Sequence, residues 1–83
     1  MVRVRFFGLV RLKLAVEEIN IEANTIRQLT EELGKLYGDT ITAKEFRDNV
    51  MFVNGTMITE MKNMKTKLKD GDEVMILSPA SGG

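Results

Sequence analysis

The chain has 83 residues, with twelve Lys plus Arg against twelve Asp plus Glu and a formal net charge of zero. A chain this short buries roughly 63% of its surface on folding, enough for one small core and no second domain. Cysteine and histidine are both absent, which excludes disulfides, thiolate nucleophiles, zinc ribbons, iron–sulfur clusters and imidazole acid–base chemistry, and the balanced charge leaves no global excess to drive nucleic-acid binding.

Val2, Val4 and Phe6 alternate with Arg3, Arg5 and Phe7, the two-residue period of a strand, and Gly8 ends the run. In residues 9–16 the apolar phase of Leu12, Leu14 and Val16 slips against that of Ile19 and Ile21, so a loop or bulge followed by a strand near 15–22 is expected. Thr25 followed by Gln28 is a capping-box pair. Ile26, Leu29, Leu33 and Leu36 then recur at helical spacing and Gly38 supplies a left-handed cap, so the helix should run over 26–37 with Gly34 as a soft spot.

Residues 39–49 read as a connecting loop with one helical turn, anchored to the core by Phe46. Residues 50–53 form a short apolar strand. Asn54-Gly55 suits the two positive-φ positions of a type I′ turn, and Thr56-Met57-Ile58 return as the partner strand. After a Met- and Lys-containing connection at 59–67, Asp70-Gly71 turns into a last strand at 73–77, stopped by Pro79.

One helix covering one face of a mixed sheet is the economical assembly of these elements. Alternation then puts Val4, Phe6, Val74 and Ile76 beneath the helix and Phe7, Met75 and Leu77 on the opposite face, which has no second helix to cover it. The expected division is a domain over 1–77 and a flexible tail over 78–83. In that tail Pro79, Ala80 and Ser81 lead to Gly82-Gly83.

Two terminal residues without Cβ can thread a channel too narrow for any side chain. Six residues reach about 20 Å at about 3.3 Å each, enough to deliver a carboxylate into another protein's active site. On composition alone the same ending is an ordinary frayed terminus.

The segments VRVRFFGLVR, VNGTMI, LKDGDEV and ILSP, closing on Gly-Gly, agree in order and spacing with the MoaD/ThiS family of ubiquitin-like sulfur carriers, which the chain resembles over nearly its whole length. The resemblance implies the α+β β-grasp fold, a mixed sheet of about five strands on one main helix. It also implies that an activating enzyme uses ATP to adenylate the carboxylate of Gly83, while the carrier itself binds no cofactor or metal and is not the catalyst. Sulfur displaces AMP to give a thiocarboxylate, or a lysine amine of a target protein displaces it to give an isopeptide.

Thiazole-pathway carriers lack the opening that Phe6, Phe7 and Arg11 make here, so those residues favour the MoaD branch, the small subunit of molybdopterin synthase, whose partner is the large subunit. Ser81 before Gly82-Gly83 resembles instead the ending of some archaeal small modifiers. Phe7, Met57 and Leu77 match family positions that form an apolar docking patch for the activating enzyme and the large subunit, with Arg11 as a polar contact.

Other candidates have plainer explanations. Arg3 and Arg5 beside Phe6 and Phe7, and Lys62, Lys65, Lys67 and Lys69, read as solvated strand and loop edges rather than nucleic-acid contacts. Asp72 and Glu73 belong to a turn and an edge. With no His to act as base, neither Ser78 nor Ser81 is set up as a nucleophile. No apolar run approaches a membrane span, and Arg3, Arg5, Arg11 and Lys13 interrupt the first sixteen residues, so a cytoplasmic protein, monomeric when free and without a membrane or nucleic-acid partner, is expected. A passive interaction module whose Gly-Gly end carries no chemistry is the reading from another class.

Overall fold

The computed structural model describes residues 1–78. Pro79, Ser81, Gly82 and Gly83, and with them the expectations placed on the tail, lie outside the described residues. In chain order the elements are β1 (Val2–Phe7), α1 (Leu9–Leu14), β2 (Glu18–Ile21), α2 (Ile26–Tyr37), α3 (Ala43–Arg47), β3 (Val50–Val53), β4 (Thr56–Met57) and β5 (Glu73–Leu77), with 3-10 turns at Ile58–Glu60 and Asn63–Lys65. The sheet order is β2-β1-β5-β3-β4. The first and last strands pair in parallel at its centre, and the other pairs are antiparallel. This is the β-grasp arrangement, an α+β fold in which α2 lies across one face.

The predicted inward residues Val4, Phe6, Val74 and Ile76 are all buried, beneath Ile26, Leu29 and Leu33 of α2. Phe46 from α3 completes the core, its ring 6.4 Å from that of Phe6 and 6.5 Å from that of Tyr37. Thr30 is buried as well, and its hydroxyl donates to the Arg27 carbonyl and accepts from Arg47 Nε, so the polar group is satisfied. Among the described residues no helix is long and apolar enough to cross a membrane.

Several local expectations need correction. Residues 9–14 are a helix rather than a loop, because Val10 and Leu14, four apart, are the pair that turns inward while Leu9 and Leu12 remain exposed. Ala15 stops it in the left-handed conformation at φ 58°, its amide donating to the Arg11 carbonyl. That places the start of β2 at Glu18 rather than near 15.

Gly38 does not turn left-handed but continues the right-handed path at φ −60°, and the chain leaves α2 through bonds from the Thr40 and Ile41 amides to the Tyr37 carbonyl. Gly34 is a close-approach point and not a soft spot, since a Cβ there would stand 2.8 Å from Ala43 Cβ and 2.9 Å from its nitrogen. The loop over 39–49 contains α3, started by a reciprocal capping box between Thr42 and Glu45. At the head of α2 the Thr25 hydroxyl accepts from the Gln28 amide as expected. Gln28 reaches one residue further back, accepting from the Asn24 amide at 2.6 Å.

The hairpin turn has Asn54 at φ 48° and Gly55 at φ 89°, both left-handed as the Asn-Gly pair predicts. Its return strand is only Thr56–Met57, because buried Ile58 opens a 3-10 turn. Asn54 also ties this hairpin to β5. Its amide group donates to Asp72 at 3.0 Å, and its carbonyl oxygen accepts from the Glu73 amide at 3.0 Å.

Candidate functional site

The sheet face away from α2 follows from the pairing register. One row runs Phe7, Leu77, Val50 across β1, β5 and β3. The next runs Glu18, Arg5, Met75, Phe52, Met57 across all five strands. The third sets Asn20, Arg3 and Glu73 side by side. Partners in register share a face, so six apolar side chains, all half-buried, form one surface bordered by charge.

Phe7 and Leu77 are adjacent, whereas Met57 sits three strand spacings from Phe7, about 14 Å across the sheet. Met75 and Phe52 close that gap. Sequence reading placed Met75 on this side but missed Val50 and Phe52 as members. The signal was available, since a two-residue turn at Asn54-Gly55 pairs position 53 with 56 and 52 with 57, which puts Phe52 on the face of Met57.

The border is a ladder of ion pairs. Arg3 lies 3.9 Å from Glu18 and 3.6 Å from Glu73, and Arg5 lies 3.8 Å from Glu18 and 4.0 Å from Glu73. Arg5 also stands over the Phe7 ring, 5.3 Å from its centroid. These exposed pairs are worth at most about 1 kcal/mol each, so they border the apolar rows with charge more than they stabilise the fold. Arg11 is on α1, where its guanidinium pairs with Glu17 at 3.4 Å.

Ser78 follows Leu77 directly, so the chain leaves β5 at the corner where the face ends. Its amide donates to the Phe7 carbonyl at 3.4 Å, and its hydroxyl accepts from the Val10 amide at 2.7 Å. Beside it an open cleft of about 260 Å³ separates α1 from α3, bounded by Val10, Lys13, Ile41, Glu45 and Ser78 among others. The Glu45 carboxyl is held below its usual range, first by the Thr42 amide and then by the Thr42 hydroxyl. Among the described residues no group of His, Cys, Asp and Glu side chains is placed to hold a metal ion.

A mixed sheet with one face packed on a helix, the other presenting an apolar patch, and its last strand ending at the edge of that patch is the arrangement of the ubiquitin-like class of small carrier and modifier proteins. The ThiS family profile matches residues 4–83, and the chain belongs to that family. A chain from the complex of subunits 1 and 2 of molybdopterin-converting factor from Helicobacter pylori 26695 is 30% identical, with 99% of this chain and 97% of that chain covered and a TM-score of 0.69.

Two further solved structures share the fold. Small archaeal modifier protein 1 from Methanosarcina acetivorans is 23% identical over 99% of this chain and 95% of its own, with a TM-score of 0.82. A chain of the BexX/CysO complex of Amycolatopsis orientalis is 18% identical with both chains fully covered, at a TM-score of 0.77. Among curated protein sequences none matches the chain.

Proposed function

We propose that this protein is a sulfur carrier of the MoaD type, the small subunit of a molybdopterin synthase. The observation that carries the reading is the 30% identity, over 99% of the chain, to a component of a two-subunit molybdopterin-converting factor. In this reading the carboxylate of Gly83 attacks the α-phosphate of ATP on an activating enzyme, pyrophosphate leaves, and an acyl-adenylate forms. A sulfur nucleophile then adds to the acyl carbon and AMP departs, leaving a thiocarboxylate that the large synthase subunit uses as its sulfur source.

A free carboxylate is a poor electrophile, so the partner supplies activation and this chain supplies the acyl group. It is a co-substrate, not a catalyst. Docking falls to the face built by Phe7, Leu77, Val50, Met75, Phe52 and Met57, where an aromatic pair and two adaptable methionines offer contact area to more than one partner.

Conjugation to target lysines through the same carboxylate is the second reading, favoured by Ser81 before Gly82-Gly83. Mass spectrometry of the Gly83 terminus, on protein purified from its own cells without a C-terminal tag, tests both. Replacement of one terminal oxygen by sulfur is the expected result. Isopeptide links to lysines alone would move the assignment to a modifier. A plain carboxylate that stays unreactive with every adenylating enzyme of those cells would overturn both in favour of a passive interaction module.

A further inference from the structure

Helix α1 begins without a cap of its own. The residue before it is Gly8, at φ 72° and ψ −146°, with no side chain to accept from the first-turn amides. The missing acceptor arrives from the other end of the chain, where Ser78 Oγ takes the hydrogen bond of the Val10 amide at 2.7 Å, 68 residues away in sequence. Val10 is buried at 2% exposure, so without that hydroxyl its amide would lose this partner and depend on water entering from the adjoining cleft. Ser78 is also held by its backbone, its amide reaching the Phe7 carbonyl at 3.4 Å. The turn at Gly8 brings the two ends together: a Cβ at that position would touch both Leu77 and Ser78 at 3.5 Å.

Ser78 is not set up as a nucleophile: the chain has no His, and the hydroxyl bonds to a helix amide rather than to a base. From this geometry we infer that Ser78 is a positioning residue for the terminal carboxylate: it pins the root of the C-terminal extension to α1 so that residues 79–83 continue from one fixed backbone position at the corner of the docking face. The inference rests on the proposed activation of Gly83.

With the hydroxyl in place, the backbone is fixed through residue 78 and a partner docked on Phe7 and Leu77 meets the extension at a set point. Without it, residue 78 is held only by the long bond from its amide to the Phe7 carbonyl, and the partner must fix it each time it captures the carboxylate. The docking face itself is untouched, because none of its six side chains bonds to the Ser78 hydroxyl.

The test compares full-length wild type, Ser78→Ala and Ser78→Thr in ATP-dependent adenylation by the activating enzyme of the same cells, with hydrogen exchange of the Val10 amide and the urea midpoint measured alongside. For Ser78→Ala the expected result is a kcat about fivefold lower, one hydrogen bond's worth, with KM for the carrier unchanged and faster Val10 exchange. Ser78→Thr, which keeps the hydroxyl, should restore both kcat and the protection of Val10.

Equal kcat in wild type and Ser78→Ala despite faster Val10 exchange would overturn the inference while leaving the carrier reading intact. So would a loss that Ser78→Thr fails to restore, or a drop in kcat matched by an unfolded fraction at the assay temperature. A wild-type chain that is never adenylated would instead remove the carrier reading, and the positioning role with it.

Discussion

Replacing Gly34 by Ala separates two opposed effects that meet at one position. In a solvated helix the change is favourable by about 1 kcal/mol, because alanine has less backbone entropy to lose. Here the new methyl group would stand 2.8 Å from Ala43 Cβ, 2.9 Å from Ala43 N and 3.1 Å from Ala43 Cα. Carbon atoms in contact prefer about 3.5–4.0 Å, so α3 must retreat from α2 by more than about half an ångström. Two of the three obstructing atoms are backbone, and no rotamer change relieves them.

The retreat has a further cost in the core. Phe46 is fully buried on α3, wedged against Phe6 and Tyr37, and the displaced helix carries it with it. Overpacking of this kind costs about 1–3 kcal/mol, and rigid backbone neighbours put this site in the upper half of that range. After the propensity gain is subtracted, Gly34→Ala should destabilise by about 1–2 kcal/mol. Urea unfolding followed by far-ultraviolet circular dichroism measures this as a lower midpoint at constant slope, and a thermal scan should show Tm falling by at least about 4 °C. The variant with Ala43→Gly added should recover part of the loss, since only the Cβ contact is relieved. A Gly34→Ala protein as stable as wild type, or more so, would show that the helices separate freely and would refute the argument.

Phe46→Ala should cost about 3–5 kcal/mol, a large share of the stability of so small a domain, and be visible as a partly unfolded far-ultraviolet spectrum at 37 °C. Asp72 and Glu45 both have carboxyl groups held below their usual values, Asp72 first by the Lys69 amide and then by Asn54, Glu45 by the Thr42 amide and hydroxyl. Their contribution is present above the ordinary values of 3.8 and 4.5 and lost as pH falls through the lowered ones. The urea midpoint should therefore hold down to about pH 5 and then drop, more shallowly in Asp72→Asn. Phe52→Ala should weaken partner binding at least about tenfold, as Phe7→Ala should, with the fold retained. Calorimetric titration with the activating enzyme or the large subunit checks this, and unchanged affinity would remove Phe52 from the proposed docking contacts.

Strands β1 and β5 and helix α2 were legible because each carries one unbroken period. Glu73–Leu77 and Val2–Phe7 alternate cleanly, and Ile26, Leu29 and Leu33 keep helical spacing between a Thr cap and a stop. What escaped was short or borrowed its support from elsewhere. Helix α1 has only six residues and its capping hydroxyl comes from Ser78, so no local pattern announces it. Helix α3 was expected as one helical turn within residues 39–49; only its start was missed, though Thr42 and Glu45 mark it as a Thr-x-x-Glu capping box inside a polar segment. Gly34 looked like a weakness because a helix propensity scale knows nothing of Ala43 packed against it. Within the candidate site the same distinction holds: Phe7 and Leu77 follow from alternation alone, while Val50 and Phe52 require the cross-strand register.

Strand β5 gives the parts of this site their common geometry. Met75 and Leu77 project onto the exposed face, Val74 and Ile76 project into the core beneath α2, and Ser78 bonds to α1 one residue later. Its parallel pairing with β1 sets Leu77 beside Phe7, and its antiparallel pairing with β3 sets Met75 beside Phe52. A partner that grips this face therefore grips the strand from which the C-terminal residues continue, with no hinge between the grip and Ser78. Under the proposed function, docking and delivery of the carboxylate would both depend on the same five-residue strand. A substitution that slips its register by one residue would invert the exposed and buried faces and remove both at once.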